Sequence, residues 1–122
     1  MPGEMKTPGP DHPITLEPTR ARVTVTLGGR VIADSTEAIT LREASYPPVQ
    51  YIPLADVDQS LLRPTETSTY CPYKGDAAYY SIPAGGKRSV NAAWQYRAAY
   101  PWVGEISGYV AFYPNRVDGI DD

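Results

Sequence analysis

The residues best suited to chemistry crowd into the stretch 71–81. It holds the single cysteine, Cys71, and places Lys74 at a turn framed by Pro72 and Gly75. A cysteine becomes a nucleophile when a nearby cation, histidine or helix N-terminus stabilises its thiolate, and Lys74 is a cation three residues away. A single cysteine is also commonly a small buried hydrophobic residue. Cys71 is therefore either a nucleophile or a part of the core.

The histidine content limits what Cys71 can do. The chain has one histidine, His12, and it lies in a proline-rich leader. A cysteine nucleophile usually needs a neighbouring base, and we predict that the ordered chain supplies no histidine for that role. A structural zinc site usually needs four cysteine or histidine ligands. The sequence therefore predicts a packing role for Cys71, no metal and no cofactor.

Lys74 and Glu43 are the charged candidates for holding a ligand. A lysine at a turn offers a point charge to an anionic ligand, although it is equally often an ordinary surface residue. Arg42 and Glu43 are neighbours in a predicted strand, so their side chains point to opposite faces and one of them faces inward. An inward Glu43 needs a cationic partner, either Lys74 or Arg42. It then acts as a general base or ligand anchor, or only as half of a structural ion pair.

Tyrosine dominates the aromatic residues: there are ten tyrosines, two tryptophans and one phenylalanine. Tyrosine suits a surface that is apolar in its body and polar at its tip. Tyr79 and Tyr80 are adjacent in a predicted strand, so only one of them lines a pocket on a given face. Core packing accounts for most such residues. The functional interpretation is a pocket lined by Tyr73, Tyr79 or Tyr80 together with Trp94.

Length and charge restrict the class of protein. A chain of 122 residues suggests one domain. The net charge of -3 and a pI near 5.1 disfavour general binding of nucleic acid, which requires a basic face. One cysteine excludes an intramolecular disulfide and is typical of a reducing cytoplasm. The unbroken apolar runs are only a few residues long, so we predict no membrane span.

The elements that position these residues are predicted to be short strands. The segment 22–27 alternates apolar and polar residues, and Gly28-Gly29 permits the tight turn that leads into a returning strand at 30–33. Proline residues confine 49–52 to an edge strand. Further strands are predicted at 38–43, 65–70, 76–82 and 108–113, with helical turns at 56–62, capped by Asp56, and at 101–105.

These elements predict a mainly β, single compact domain of about seven to nine short, mostly antiparallel strands with one or two short helical turns. The arrangement is sandwich-like or partly rolled. We predict a proline-rich flexible leader over 1–18, the β domain over 19–118 and a short acidic tail over 119–122. The chain has no βαβ rhythm and no glycine-rich dinucleotide motif, which disfavours a Rossmann enzyme.

Several short motifs occur together in the chain: Arg42-Glu43, Tyr51-Ile52-Pro53, Cys71-Pro72-Tyr73-Lys74-Gly75 with Ala77 and Tyr79, Ala93-Trp94, and Gly108-Tyr109-Val110-Ala111-Phe112. In this combination the chain resembles a small bacterial family, domain-of-unknown-function family 427, which also carries a nucleotidyltransferase-like label. The resemblance spans roughly 20–118 and implies a compact, mainly β, β-tent-like fold. Many β-tent relatives bind zinc through paired cysteines, which this chain lacks. It also lacks the Gly-Ser and paired-aspartate pattern of nucleotidyl transfer.

Three functions remain open from the sequence. The first is binding of a small polar or anionic ligand in a pocket near 71–81. The second is an enzyme that uses Cys71 as nucleophile or Glu43 as acid or base. The third is an interaction module that recruits partners by strand addition. We expect a cytoplasmic protein without nucleic-acid or membrane partners, able to form a homodimer through a β edge. The predicted ligand-binding residues are Arg42, Glu43, Tyr73, Lys74, Tyr79 and Trp94.

Overall fold

Antiparallel strands build the fold across residues 5–122, the part of the chain that the computed structural model describes. Within that range there are ten: β1 (Ile14–Pro18), β2 (Val23–Leu27), β3 (Arg30–Ser35), β4 (Ile39–Glu43), β5 (Val49–Tyr51), β6 (Arg63–Cys71), β7 (Gly75–Ser81), β8 (Ala93–Tyr96), β9 (Val110–Phe112) and β10 (Gly119–Asp121). They form three sheets, ordered β1-β4-β5, β10-β2-β3 and β6-β7-β8-β9. The prediction of a mainly β fold is confirmed.

The β2–β3 hairpin follows directly from the sequence pattern. Val23, Val25 and Leu27 are buried while the threonines between them are only partly covered, as alternation along a half-buried strand requires. Gly28 and Gly29 join the strands with φ values of 60° and 76°. Glycine adopts this left-handed region without the steric cost that a β-carbon imposes.

Both ends of the described chain contribute strands, which corrects the predicted leader and tail. Ile14–Pro18 was assigned to the leader but pairs with β4, and Gly119–Asp121 was assigned to the tail but pairs with β2. Burial is the physical reason, because Ile14 and Leu16 pack against one core and Ile120 against another. The first four residues of the predicted leader lie outside the described residues.

Across residues 5–122 the helical segments are all short 3₁₀ turns. The predicted turns at 56–62 and 101–105 occur at Leu54–Asp56, Gln59–Leu61 and Pro101–Ile106, and two more lie at Pro83–Ser89 and Pro114–Arg116. The predicted cap is wrong: Asp58 accepts the backbone N–H of Ser60 at 3.2 Å, whereas Asp56 accepts a hydrogen bond from the hydroxyl of Ser35. None of the helices within 5–122 has the length and apolarity needed to cross a membrane.

The four-stranded sheet contributes one face to each of two cores. Tyr80, Ala93 and Phe112 belong to the core built with β2 and β3, whereas Tyr79 and Trp94 belong to the core built with β4 and β5. Side chains alternate along a strand, so Tyr79 and Tyr80 separate to opposite faces as predicted. The second face, with its tyrosines and tryptophan, carries the candidate site.

The close packing around Gly85 provides a test of this arrangement. A β-carbon at Gly85 would lie 1.9 Å from Ser89 Oγ and 2.9 Å from Leu27 Cδ2, and Ser89 is fully buried. We expect Gly85→Ala to lower the free energy of unfolding by about 1–3 kcal/mol, the usual cost of overpacking a core. Chemical denaturation measures the change.

Gly104→Ala is the matched control, because nothing beyond its chain neighbours and the backbone of its own helical turn lies within 4 Å of the added β-carbon. We expect its stability to change by less than about 0.5 kcal/mol. Equal stability of the two variants would contradict the packing at Gly85.

Candidate functional site

A cavity of about 240 Å³ lies between the β1-β4-β5 sheet and the second face of the four-stranded sheet. Most of its wall is aromatic, and its charged lining residues are Glu43 and Lys74. The other residues that line it are Leu41, Tyr46, Pro47, Val49, Tyr51, Tyr79, Trp94, Tyr96 and Tyr113.

Strand alternation and a backbone turn place Glu43 at the cavity. Glu43 is the last residue of β4, and the next residue, Ala44, turns the chain with a φ of 49°. The turn is closed by a hydrogen bond from the Tyr46 N–H to the Glu43 carbonyl. Arg42 points to the opposite face, is exposed, and donates a 3.0 Å hydrogen bond to Glu17. Arg42, a predicted ligand-binding residue, therefore lies outside this cavity.

A tight turn between β6 and β7 presents Lys74. The Lys74 N–H donates to the Cys71 carbonyl at 3.2 Å, and Pro72 occupies the second position of this turn, where its fixed φ is favoured. A neighbouring segment holds the turn in place. Tyr100 donates its N–H to the Lys74 carbonyl, and Trp102 donates its indole N–H to the Tyr73 carbonyl at 2.7 Å.

The two charged residues form an ion pair inside the cavity. Lys74 Nζ donates to Glu43 Oε1, and the side chains are only 10% and 12% exposed. The ammonium also lies 5.9 Å from the centre of the Tyr96 ring. Burial raises the pKa of Glu43, but the hydrogen bonds from Lys74 and His12 outweigh it, so that the pKa lies below its ordinary value. Glu43 is therefore an ionised carboxylate at neutral pH.

His12, which belongs to the segment predicted as the leader, lies at the site. Its Nε2 lies 2.6 Å from Glu43 Oε2, and its ring stacks on Tyr73 with the centres 3.9 Å apart. Backbone hydrogen bonds hold the segment in place, from the Lys6 N–H to Pro72 and from the Ala44 N–H to Pro13. Tyr73 therefore contacts His12 but does not line the cavity.

Hydrogen bonds fix the aromatic walls. Tyr79 and Trp94 are cross-strand partners. The Trp94 indole N–H donates to the Tyr51 hydroxyl at 3.2 Å, and the Tyr79 hydroxyl lies 2.9 Å from Thr69 Oγ1. Burial raises the pKa of Tyr51 and, assisted by the hydrogen bond with Tyr79, raises that of Tyr113 to about 12. These phenols therefore stay protonated and offer hydroxyl groups.

Cys71 stands apart from this arrangement. It is half-buried and packs against the core that surrounds the cavity, without lining the cavity itself. His12 lies against Glu43 and Tyr73, and its side chain hydrogen-bonds to Glu43. Within residues 5–122, no three histidine, cysteine or acidic residues gather as metal ligands.

Sequence reasoning found four of the lining residues and missed the others. Glu43, Lys74, Tyr79 and Trp94 line one cavity. Tyr96 was within reach of the same reasoning, because a residue two positions from Trp94 shares its face of a strand. The missed residue Tyr46 lies outside the strands, where no periodicity marks which side chains turn inward.

The fold and this cavity define a small, mainly β domain with a largely aromatic pocket whose lining includes an ion pair. The chain belongs to the family described as Domain of unknown function (DUF427), whose model matches residues 15–122. The suspected resemblance is confirmed, and the match includes both β1 and β10 almost entirely. No curated protein matches the chain.

The lowered pKa of Glu43 predicts how stability depends on pH. Because its folded pKa lies below the ordinary value of 4.5, ionised Glu43 stabilises the fold above that pH. The contribution is lost as the pH falls through the folded pKa. Glu43→Gln should lower the free energy of unfolding by about 1–3 kcal/mol at neutral pH, since Lys74 loses its charged partner. The difference in free energy of unfolding between this variant and the wild type should become smaller as the pH is lowered to about 3.5.

Glu17→Gln is the control, because Glu17 pairs with Arg42 on the exposed surface. Exposed ion pairs contribute little, so we expect a change of less than about 1 kcal/mol. Denaturant titrations across the pH range measure both variants. If the stability difference between Glu43→Gln and the wild type stays constant with pH, the lowered pKa of Glu43 is contradicted.

Proposed function

We propose that the protein binds a small ring-containing polar molecule in the cavity between β4 and the second face of the four-stranded sheet. The observation that carries the proposal is the convergence of a buried ion pair with six aromatic side chains on one cavity. Ligand sites are typically concave, largely apolar or aromatic, and supplied with a few fixed polar groups that orient the ligand.

The size of the cavity restricts the ligand. Its volume of about 240 Å³ is below the ~300–1,000 Å³ typical of sites for drug-sized molecules. A single ring or small fused ring with one polar substituent suits this space. Tyr46 stands at the mouth with 64% of its surface exposed, so its ring is available to cover a bound molecule.

Binding accounts for Glu43 better than acid–base catalysis does. A general base works best when its pKa lies near the operating pH. The pKa of Glu43 is instead lowered, and its two oxygens already accept hydrogen bonds from Lys74 and His12. These features suit a fixed acceptor that orients a ligand.

An acid–base enzyme is the second candidate, favoured by the contact between His12 and Glu43. The two candidates differ in what happens to a bound molecule. A ligand mixed with a tenth of its concentration of protein for a day should show an unchanged NMR spectrum if the site only binds. New signals that depend on Glu43 would support the enzyme.

A thermal-shift screen of small ring compounds tests the binding proposal. A molecule that binds only the folded state raises the unfolding midpoint. We expect hits whose affinity falls about three- to tenfold in Tyr46→Ala, because an aromatic contact contributes roughly 0.5–1.5 kcal/mol. Since Tyr46 is exposed, this variant should keep its fold.

Val31→Ala and Arg42→Ala are the matched controls. Val31 is exposed on β3, and Arg42 is next to Glu43 but points away from the cavity. Both should bind the hits as the wild type does. Hits that bind Tyr46→Ala and Trp94→Ala as tightly as the wild type, or that lose affinity in Arg42→Ala, would show that the binding site lies elsewhere.

A further inference from the structure

Glu43 and Lys74 keep hydrogen-bonding capacity that their own contact does not use. An ammonium has three N–H donors, and within the described residues the side chain of Lys74 donates to Glu43 alone. A carboxylate has about four acceptor positions, of which Lys74 and His12 occupy one on each oxygen. An unused donor and an unused acceptor therefore stand side by side at the polar end of the cavity.

The charges of this pair select against charged ligands. An anion that approaches Lys74 also meets the carboxylate of Glu43, and a cation that approaches Glu43 meets the ammonium of Lys74. Both side chains are largely shielded from water, so salt and solvent screen these like-charge contacts weakly. A like charge placed at such a site is a common source of discrimination between ligands.

The aromatic walls select for a flat group. Trp94 and Tyr113 have ring centres 4.5 Å apart, and Tyr51 meets Trp94 edge-on at 90°. These contacts fix the ring orientations within the wall. Tyr46 at the mouth has much of its ring surface uncovered. Flat rings gain from offset-stacked or edge contacts with such surfaces.

We propose that the ligand is an uncharged flat ring carrying a carboxamide-type edge, in which a carbonyl oxygen and an N–H lie side by side. The carbonyl accepts a hydrogen bond from Lys74 Nζ, and the N–H donates to Glu43. No covalent bond is made or broken. This proposal rests on the proposed function, because it names the chemical class that the same cavity takes.

Three probes of nearly equal shape test the edge directly. Benzamide carries one acceptor and one donor, benzoate carries two acceptors and a negative charge, and benzamidinium carries two donors and a positive charge. Ligand-detected NMR at pH 7 measures their affinities for the wild-type protein. We expect benzamide to bind at least about tenfold more tightly than either charged probe, because each charged probe leaves one member of the pair facing a like group.

Two substitutions should reverse the ranking. Glu43→Gln leaves the ammonium of Lys74 without a carboxylate, so benzoate should become the best probe. Lys74→Met leaves Glu43 without its ammonium, so benzamidinium should become the best probe. Arg42→Gln removes a charge outside the cavity and should keep the wild-type ranking. If Glu43→Gln or Lys74→Met does not fold, as judged by circular dichroism, the order of the three affinities for the wild type alone tests the proposal.

The outcomes separate this proposal from the proposed function. A charged probe that binds wild type best, or three probes that fail while a screening hit binds in a Tyr46-dependent way, overturns the carboxamide edge and leaves the binding cavity standing. A complete absence of Tyr46-dependent ligands overturns the proposed function itself. Both the carboxamide edge and the proposed function are supported if benzamide binds the wild type most tightly and the folded Glu43→Gln and Lys74→Met variants prefer the charged probes.

Discussion

The buried ion pair between Glu43 and Lys74 is the constraint on which the rest of the site depends. A charge taken out of water is costly unless it is paired, so each side chain requires the other. Their contact joins the end of β4 to the turn between β6 and β7. His12 adds the segment that precedes β1, because its ring binds Glu43 and stacks on Tyr73. Three segments distant in sequence are thereby held at one end of the cavity.

The sheets determine what surrounds this pair. Cross-strand pairing sets Tyr79 beside Trp94 on one face, while the opposite face of the same strands is committed to the core with β2 and β3. The aromatic wall is therefore a product of strand alternation and of hydroxyl and indole hydrogen bonds that fix each ring. The proposed binding relies on this arrangement, because a wall of fixed rings beside a fixed donor and acceptor limits the entropy lost when a small ligand binds.

Local patterns predicted those parts of the site that depend on local geometry. Alternation predicted the β2–β3 hairpin and showed that the side chains of Arg42 and Glu43 must point to opposite faces. The cost of burying a carboxylate left Lys74 and Arg42 as the two candidate partners of Glu43. His12 was missed because its contact with Glu43 spans 31 residues and no spacing rule reaches that far. β1 (Ile14–Pro18) was missed because the prolines around it indicated an extended leader. Its pairing with β4 is likewise a tertiary effect. Asp58, and not Asp56, caps the helical turn by accepting the Ser60 N–H, and the carboxylate of Asp56 accepts a hydrogen bond from the Ser35 hydroxyl.

A double-mutant cycle on the ion pair is the most direct test of its central place. The free energies of unfolding of wild type, Glu43→Gln, Lys74→Met and the double variant are measured at pH 7 by denaturant titration. A buried pair predicts that each single substitution lowers the free energy of unfolding by about 1–3 kcal/mol, because it leaves the remaining charged group without its partner. The double variant should then be more stable than the sum of the two losses implies, by at least about 1.5 kcal/mol. Losses that add to within about 0.5 kcal/mol would contradict the coupling between Glu43 and Lys74.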